Sequence, residues 1–275
     1  MDTARIAALL EPFLESPLSP AQLDQVSIYI DLLLRWNARI NLTAIRKEEE
    51  IVTRHFGESF FMATHLFPAT SNPCHPERSQ DMRFAHVLAE SKDPSTSSPP
   101  APPQGILPAP CAPSKLSVAG GADGSTGNWQ PATGRCTPRV LDIGSGAGFP
   151  ALPLKIWAPE IHLTLIESNH KKAAFLREVA RALTLTNINV ITDRTETLLS
   201  RSDFPRANVV TLRAVEHFET TLPQAATFLA PGGCLALLIG TAQIQHLATL
   251  KSLQWRPPVD VPKSHSRVLS IGDQQ

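Results

Sequence analysis

Residues 141–154 read LDIGSGAGFPALPL, and this stretch decides the predicted fold. An apolar strand runs into a glycine-rich loop, and a helix is expected to begin at Pro150. Short apolar segments and amphipathic segments alternate on its C-terminal side, which indicates a parallel sheet covered on both faces. We therefore expect an α/β, doubly wound, Rossmann-like fold with a mostly parallel sheet. The predicted strands are 139–143, 161–166, 189–191, 207–212, 234–239 and 267–271, and the predicted helices are 150–157, 171–183 and 220–229.

A helical region is predicted before the sheet. Residues 19–22, SPAQ, form a capping box with Pro20 at the first helical position, and an apolar stripe continues to about residue 40. A second amphipathic segment covers 47–66. The expected division is a helical region at 1–67, an insertion at 68–138 and the sheet domain at 139–275.

The insertion is defined by its composition. Thirteen of the 25 prolines lie between residues 68 and 138, beside runs such as DPSTSSPPAPP. Few large apolar residues remain to offset chain entropy, so we expect this segment to be disordered and without a role in the site, apart from a short helix near 84–88. A regulatory or partner-binding loop is the alternative.

Charge, apolar runs and cysteine content argue against several classes of protein. The 25 basic and 25 acidic residues balance, so any contact with nucleic acid must come from local patches. No apolar run reaches the length of a membrane helix, and the first residues do not resemble a signal peptide. The four cysteines form no C-x-x-C pair, so neither a metal site nor a disulfide framework is indicated. We expect a cytoplasmic protein without a metal and without a membrane partner.

The sequence of the glycine-rich loop limits the class of ligand that it can bind. A dinucleotide fingerprint places its third glycine where Phe149 stands, and Pro150 and Pro153 lack the N–H donors that a pyrophosphate uses. Glu167 follows the second strand, where a carboxylate can accept hydrogen bonds from both hydroxyls of a ribose. The pattern D-x-G-x-G-x-G with this acid resembles the class I methyltransferases, whose cofactor is S-adenosylmethionine.

The acceptor is indicated by segments outside the loop. Residues 211–214 read TLRA instead of the [N/D]-P-P-[F/Y/W] of amino-group methylases, and Cys234 lies in a later strand than the nucleophile of pyrimidine carbon methylases. Five segments together resemble the bacterial small-subunit ribosomal RNA methyltransferase G family, also called glucose-inhibited division protein B. They are RWNARINLTAIR at 35–46, RHFGES at 54–59, the glycine loop, ESNHKKAAFL at 167–176 and TLRAV at 211–215.

The resemblance implies methylation of N7 of a guanine in the decoding region of small-subunit (16S) ribosomal RNA. The partner would be this RNA or the 30S particle, and the protein is expected to be a monomer. Guanine N7 carries a lone pair and no proton at neutral pH, so no general base is expected and alignment of the reactants is the main task.

The expected cofactor residues follow from the same resemblance, with Glu167 added from its position. They are Gly144, Gly146, Phe149, Glu167, Thr195, Glu196 and Arg213, of which Arg213 is also a candidate for alignment. For the RNA, runs of local positive charge indicate Arg35, Arg39, Arg54, Lys171 and Lys172, and the family motifs add Asn41 and His55. Each has a structural alternative: Gly144 can serve only the turn, Phe149 can be core, Glu196 can simply begin a helix, and Arg213 can be an ion-pair partner.

The chain departs from the family pattern at several positions. Glu58 replaces a usual aspartate, and the segments LLIG at 237–240 and RVLSIG at 267–272 lack usual lysines. Two alternatives therefore stay open. One is a catalytically impaired homologue that binds the cofactor or the ribosome, and the other is a methyltransferase for a small molecule or a protein.

Overall fold

A computed structural model describes residues 1–68, 137–213 and 218–275 of the chain. The predicted insertion at 68–138 and its helix near 84–88 lie almost entirely outside the described residues. Within the described ranges, no helix combines the length and apolar character that a membrane crossing requires.

The N-terminal region is helical, as predicted, and its capping box is confirmed. Ser19 Oγ accepts the Gln22 N–H at 3.3 Å, and Gln22 Oε1 accepts the Ser19 N–H at 2.9 Å. The helix that follows ends at Asn37, short of residue 40, because Asn37 Oδ1 accepts the N–H groups of Leu42 and Thr43 and turns the chain. The segments are α1 (Thr3–Leu10), a 3₁₀ turn (Glu11–Phe13), α2 (Pro20–Asn37), α3 (Glu48–Glu50), a π-helical segment (Ile51–Gly57) and α4 (Glu58–Leu66).

The sheet has the strand order β3-β2-β1-β4-β5-β8-β6, with β7 also paired to β8. Pairing is parallel from β3 through β5, whereas β8 runs antiparallel to β5, β6 and β7. The fold is the predicted α/β, doubly wound, Rossmann-like arrangement with a mostly parallel sheet, and it adds antiparallel strands that the sequence did not predict. The strands are β1 (Arg139–Ile143), β2 (His162–Ile166), β3 (Ile188–Ile191), β4 (Ala207–Arg213), β5 (Leu229–Gly240), β6 (Leu253–Trp255), β7 (Val259–Asp260) and β8 (Arg267–Gln274).

Helices cover both faces of the sheet, as predicted. Val140 and Phe175 belong to one buried cluster, which joins the sheet to α5, α6 and the N-terminal helices. Leu141 and Leu222 belong to a second cluster on the other face. The N-terminal region is therefore packed into the main core on the face that α5 and α6 share. The helices are α5 (Ala151–Trp157), α6 (His170–Ala182), α7 (Thr195–Leu199), α8 (Phe218–Thr227) and a 3₁₀ segment (Thr241–Thr249).

The chain is fixed to the sheet domain on both sides of residues 69–136. Before them, the Phe67 carbonyl accepts the Trp157 indole N–H at 2.7 Å. After them, the Pro138 carbonyl accepts the His162 N–H at 2.9 Å, just ahead of β1. The two points at which the chain leaves and enters the fold are thus held by hydrogen bonds.

Candidate active site

The glycine loop lies at the carboxyl edge of the sheet, directly after β1. Gly144 and Gly146 have φ values of +69° and +54°, a region that side chains with a Cβ rarely adopt. A Cβ placed on Gly144 would meet no heavy atom within 4 Å, and one on Gly146 would meet only a backbone oxygen at 3.7 Å. The loop therefore leaves open space above the end of β1, where a ligand of a doubly wound sheet is expected.

Glu167 holds this loop from the neighbouring strand. Its carboxylate is buried, with Oε2 accepting the Gly146 N–H at 2.7 Å and Oε1 accepting the Asn169 N–H at 2.8 Å. Each carboxylate oxygen can accept a further hydrogen bond, so binding to the loop does not exhaust its capacity. Glu167 is where the sequence predicted it, and it has the additional task of fixing the loop.

Asp142 is a site residue that the sequence interpretation missed. It is buried on β1, and its Oδ1 accepts the Thr211 hydroxyl at 2.6 Å. Its Oδ2 accepts no hydrogen bond from the described residues. Burial raises the pKa of this carboxyl to about 6, against the opposing effect of the Thr211 hydrogen bond. The signal for it in the sequence is its place as the aspartate that opens the D-x-G-x-G-x-G pattern.

Phe149 lies within an aromatic stack that joins the loop to the N-terminal region. Its ring stacks on Tyr29 of α2 at 5.3 Å and on His55 at 4.8 Å, and it meets Phe56 edge-on at 5.0 Å. The Tyr29 hydroxyl also donates to the Ala147 carbonyl at 2.5 Å. The structure thus places Phe149 in the core beside the site, and α2 supports the glycine loop directly.

His55 closes this stack on the side of the RHFGES segment. Its Nε2 lies 2.7 Å from the Thr43 hydroxyl, while its Nδ1 is buried and has no partner among the described residues. Burial, together with the positive charges of Arg213, Arg54 and Arg267, lowers the pKa of His55 to about 3. The imidazole is therefore neutral at physiological pH.

Arg213 fastens the same segment to the end of β4. Its Nη2 donates to Glu58 Oε2 at 2.8 Å and to the Arg54 carbonyl at 2.5 Å, and its Nη1 lies 3.4 Å from the His55 carbonyl. Arg267, at the start of β8, reaches the same Glu58 oxygen at 3.4 Å. Glu58 and Arg267 were not predicted as site residues, because only the folded chain brings them to Arg213.

The remaining cofactor candidates begin α7. Thr195 is half-buried and Glu196 is exposed, and both follow β3 at the carboxyl edge next to Glu167. No hydrogen bond links their side chains to the glycine loop within the described part of the chain. The structure brings Gly144, Gly146 and Glu167 into one group, and it brings Phe149, His55 and Arg213 into an adjoining one.

Four of the RNA candidates gather where α2 ends and α6 begins. The two helices run antiparallel, because Gln25 Nε2 donates to the Leu183 carbonyl at one end and the Trp36 and Phe175 rings meet at 5.7 Å toward the other. At or next to these neighbouring helix ends lie the basic residues Arg35, Arg39, Lys171 and Lys172, which are exposed except for the half-buried Lys172. We call these four residues the α2–α6 basic surface.

The other RNA candidates lie nearer the RHFGES segment. Asn41 is exposed and its Oδ1 accepts Arg46 Nη2 at 3.2 Å, while the Arg54 side chain is exposed. No group of histidine, cysteine or acidic side chains within the described ranges has an arrangement that could hold a metal ion.

Comparison with known proteins shows the family. The family model described as rRNA small subunit methyltransferase G matches residues 22–73 and 130–257. A protein of Chloroflexus aggregans named ribosomal RNA small subunit methyltransferase G is 31% identical over 264 residues, 93% of this chain and 83% of the relative. One of the same name from Roseiflexus castenholzii is 33% identical over 225 residues, 78% of this chain and 67% of the relative. The chain therefore belongs to the rRNA small subunit methyltransferase G family.

Proposed function

We propose that this chain is an S-adenosylmethionine-dependent methyltransferase that methylates N7 of a guanine in small-subunit (16S) ribosomal RNA. The observation that carries the proposal is the open glycine loop, held by Glu167 at the carboxyl edge of the sheet, in a chain of this family. The relatives are named for the small-subunit RNA. The proposal includes a monomeric, cytoplasmic protein acting on this RNA or on the 30S particle.

The residues present fit the cofactor. The space above Gly144 accepts a ligand without a clash, and the unpaired Oδ2 of Asp142 offers a buried acceptor at the end of β1. Glu167 can still accept from ribose hydroxyls. S-adenosylmethionine supplies an electrophilic methyl group on its sulfonium. The residues proposed to hold it are Gly144, Gly146, Phe149, Glu167, Thr195, Glu196 and Arg213.

The proposed reaction requires no proton transfer to or from the protein. Guanine N7 attacks with an in-plane lone pair and loses no proton, so no general base is required. What the chain must do is align the base with the methyl group and exclude competing water. The ion pair of Arg213 and Glu58 fixes the RHFGES segment over the β4 side of the edge, which gives the base a rigid wall.

The RNA side of the proposal rests on local charge. The α2–α6 basic surface offers four cations near the loop, although the whole chain has no net charge. Phosphate contacts from such a surface position the RNA without reading its sequence. The guanine itself must leave its stack to reach the edge of the sheet. Asn41, Arg54 and His55 are proposed to shape the adjoining wall.

The test is methylation in a cell that lacks its own enzyme of this family. The chain is expressed there, and small-subunit RNA is analysed by mass spectrometry for 7-methylguanosine. We expect the modification with the native chain, its loss with Glu167→Ala, and its retention with Glu15→Ala, which removes an exposed carboxylate of the N-terminal region.

The alternatives give different results in the same experiment. A folded chain that binds S-adenosylmethionine in calorimetry but leaves the RNA unmodified would contradict the proposal and indicate an impaired homologue. Methyl transfer from labelled cofactor to a small molecule or a protein in the lysate, with none to RNA, would indicate a different substrate.

A further inference from the structure

Two arginines contact one carboxylate on the β8 side of the site, and a third, Arg54, lies close enough for its charge to act on Arg213 and His55. Glu58 Oε2 accepts Arg213 Nη2 at 2.8 Å and Arg267 Nη1 at 3.4 Å. Arg213 Nη2 also holds the Arg54 carbonyl at 2.5 Å, so the Arg54 residue is tied to the same group. We call Arg54, Arg213 and Arg267 the arginine cluster. It spans from the end of β4 to the start of β8, on the opposite side of β1 from the α6 helix.

The arginine cluster carries more positive charge than its neighbours neutralise. Glu58 supplies one negative charge against three guanidinium groups. Asp142 also acts on Arg213, and because its raised pKa of about 6 leaves it mostly ionised at neutral pH, it supplies a second negative charge. One positive charge of the three is therefore left without a partner. His55 is neutral. An excess of positive charge that is partly withdrawn from water is unfavourable unless an anion completes it.

Two of the three arginines have unused donors that reach solvent. Arg213 is buried and is occupied by Glu58 and two carbonyls. Arg267 has a side chain 26% exposed, and Glu58 is its one partner among the described residues. The Arg54 side chain is exposed and makes no hydrogen bond there. Arg267 is thus held at one N–H with its other donors free, and all the donors of Arg54 are free. Free guanidinium donors suit the planar two-point recognition of a phosphate.

We propose that Arg54 and Arg267 form a binding site for a phosphate of the RNA backbone, with Glu58 and Arg213 as the pair that positions them. This rests on the proposed function, and it adds Arg267, for which the sequence analysis expected no role. The RNA would then be held on both sides of the site, by this pair over β4 to β8 and by the α2–α6 basic surface over β2. The target nucleotide lies between the two.

The experiment compares Arg267→Gln and Arg54→Gln with a matched control, Arg139→Gln. Arg139 is exposed at the amino end of β1, on the opposite edge of the sheet, and its side chain has no partner in the described ranges. Two probes are used, protein-free small-subunit ribosomal RNA and an unstructured 30-nucleotide RNA, and the Kd for each is measured over a range of salt concentrations. Cofactor affinity and thermal stability are measured in parallel.

Arg267→Gln and Arg54→Gln are each expected to raise the Kd for both RNAs by about tenfold, because a charge-assisted phosphate contact is lost irrespective of the RNA sequence. The slope of log Kd against log salt should fall by roughly 0.7 to 0.9 per arginine. Cofactor affinity should stay within about twofold, and Arg267→Lys should recover part of the RNA affinity. The Arg139→Gln control should behave as the native chain.

The outcomes separate this site from the proposed function. If the native chain methylates the RNA and both variants keep its Kd and salt slope, the phosphate site is wrong and the function stands. If the native chain binds RNA through these arginines and transfers no methyl group, the function is wrong and the site stands. Loss of cofactor affinity without loss of RNA affinity would assign the cluster to the cofactor, and a native chain that binds neither RNA overturns both.

Discussion

Replacing Glu58 with glutamine tests whether burial determines how much an ion pair contributes to the unfolding free energy of this fold. The Glu58 and Arg213 side chains are 4% and 8% exposed, so removing the carboxylate charge leaves a guanidinium buried without its counterion. Breaking a buried pair in this way costs about 3–5 kcal/mol. Two carbonyls still accept from Arg213, and the glutamine oxygen can accept as well, so we expect a loss of about 2–3 kcal/mol in unfolding free energy.

The matched control is an ion pair with a shorter distance and no burial. Arg5 and Glu49 lie 2.6 Å apart, against 2.8 Å for Arg213 and Glu58, but their side chains are 54% and 58% exposed. Exposed pairs are worth about 0–1 kcal/mol. Glu49→Gln should therefore have a small effect, although its contact is the closer of the two.

The assay is urea unfolding of both variants at neutral pH, monitored by circular dichroism. The single variant Arg213→Met and the double variant Glu58→Gln with Arg213→Met complete a double-mutant cycle. We expect a coupling free energy of about 1–3 kcal/mol, because each single change leaves the other group buried without its partner. The reasoning is refuted if Glu58→Gln costs no more than Glu49→Gln, or if the two changes at the buried pair are additive.

Three further predictions concern the loop and the insertion. The pKa of Asp142 is raised in the folded chain, so its ionisation between pH 4 and pH 7 lowers the unfolding free energy by up to about 3 kcal/mol. In urea titrations, the unfolding free energy of Asp142→Asn should therefore rise by that amount relative to the native chain between pH 4 and pH 7. A difference that does not change with pH would contradict the raised pKa of Asp142. Gly148→Ala should lower the melting temperature more than Gly144→Ala, because a Cβ at Gly148 collides with the Tyr29 hydroxyl whereas one at Gly144 meets open space; equal losses would show that φ alone decides. Deleting 73–132 should leave the calorimetric affinity for S-adenosylmethionine unchanged, and a large loss would show that this segment supports the site.

Local signals predicted the parts of the fold that depend on local physics. The capping box at Ser19 is formed by residues that are close together in sequence, and so is the strand that leads to Gly144. Both elements were predicted at the correct positions. The helix α1 and the strands β6 and β7 were missed. They are short, and their stability comes from packing and pairing that no local pattern shows: α1 buries Ile6 and Leu10 in the main core, and β6 and β7 pair with β8. The antiparallel direction of β8 is likewise set by pairing and not by composition.

The candidate site was predictable to the same extent. Glycine spacing and the position of Glu167 placed a ligand at the end of β1 because motif and strand are contiguous. The bond between Arg213 and Glu58 joins residues 155 positions apart, and no spacing rule connects them. The lowered pKa of His55 likewise arises only in the folded chain, which buries the imidazole and brings Arg213 and Arg267 close to it.

The hydrogen bonds at Phe67 and Pro138 bear on how much chain the fold can carry between them. Both points are anchored to parts of the sheet domain, so the geometry of the core does not depend on the length of the connection. The free energy of closing a loop grows only with the logarithm of its length. For a connection that behaves as a flexible chain, lengthening it from about a dozen residues to 68, the number in 69–136, costs about 1.5 kcal/mol. The family model accordingly matches on both sides of 74–129, and this junction is a place where a foreign domain could be inserted with little loss of stability.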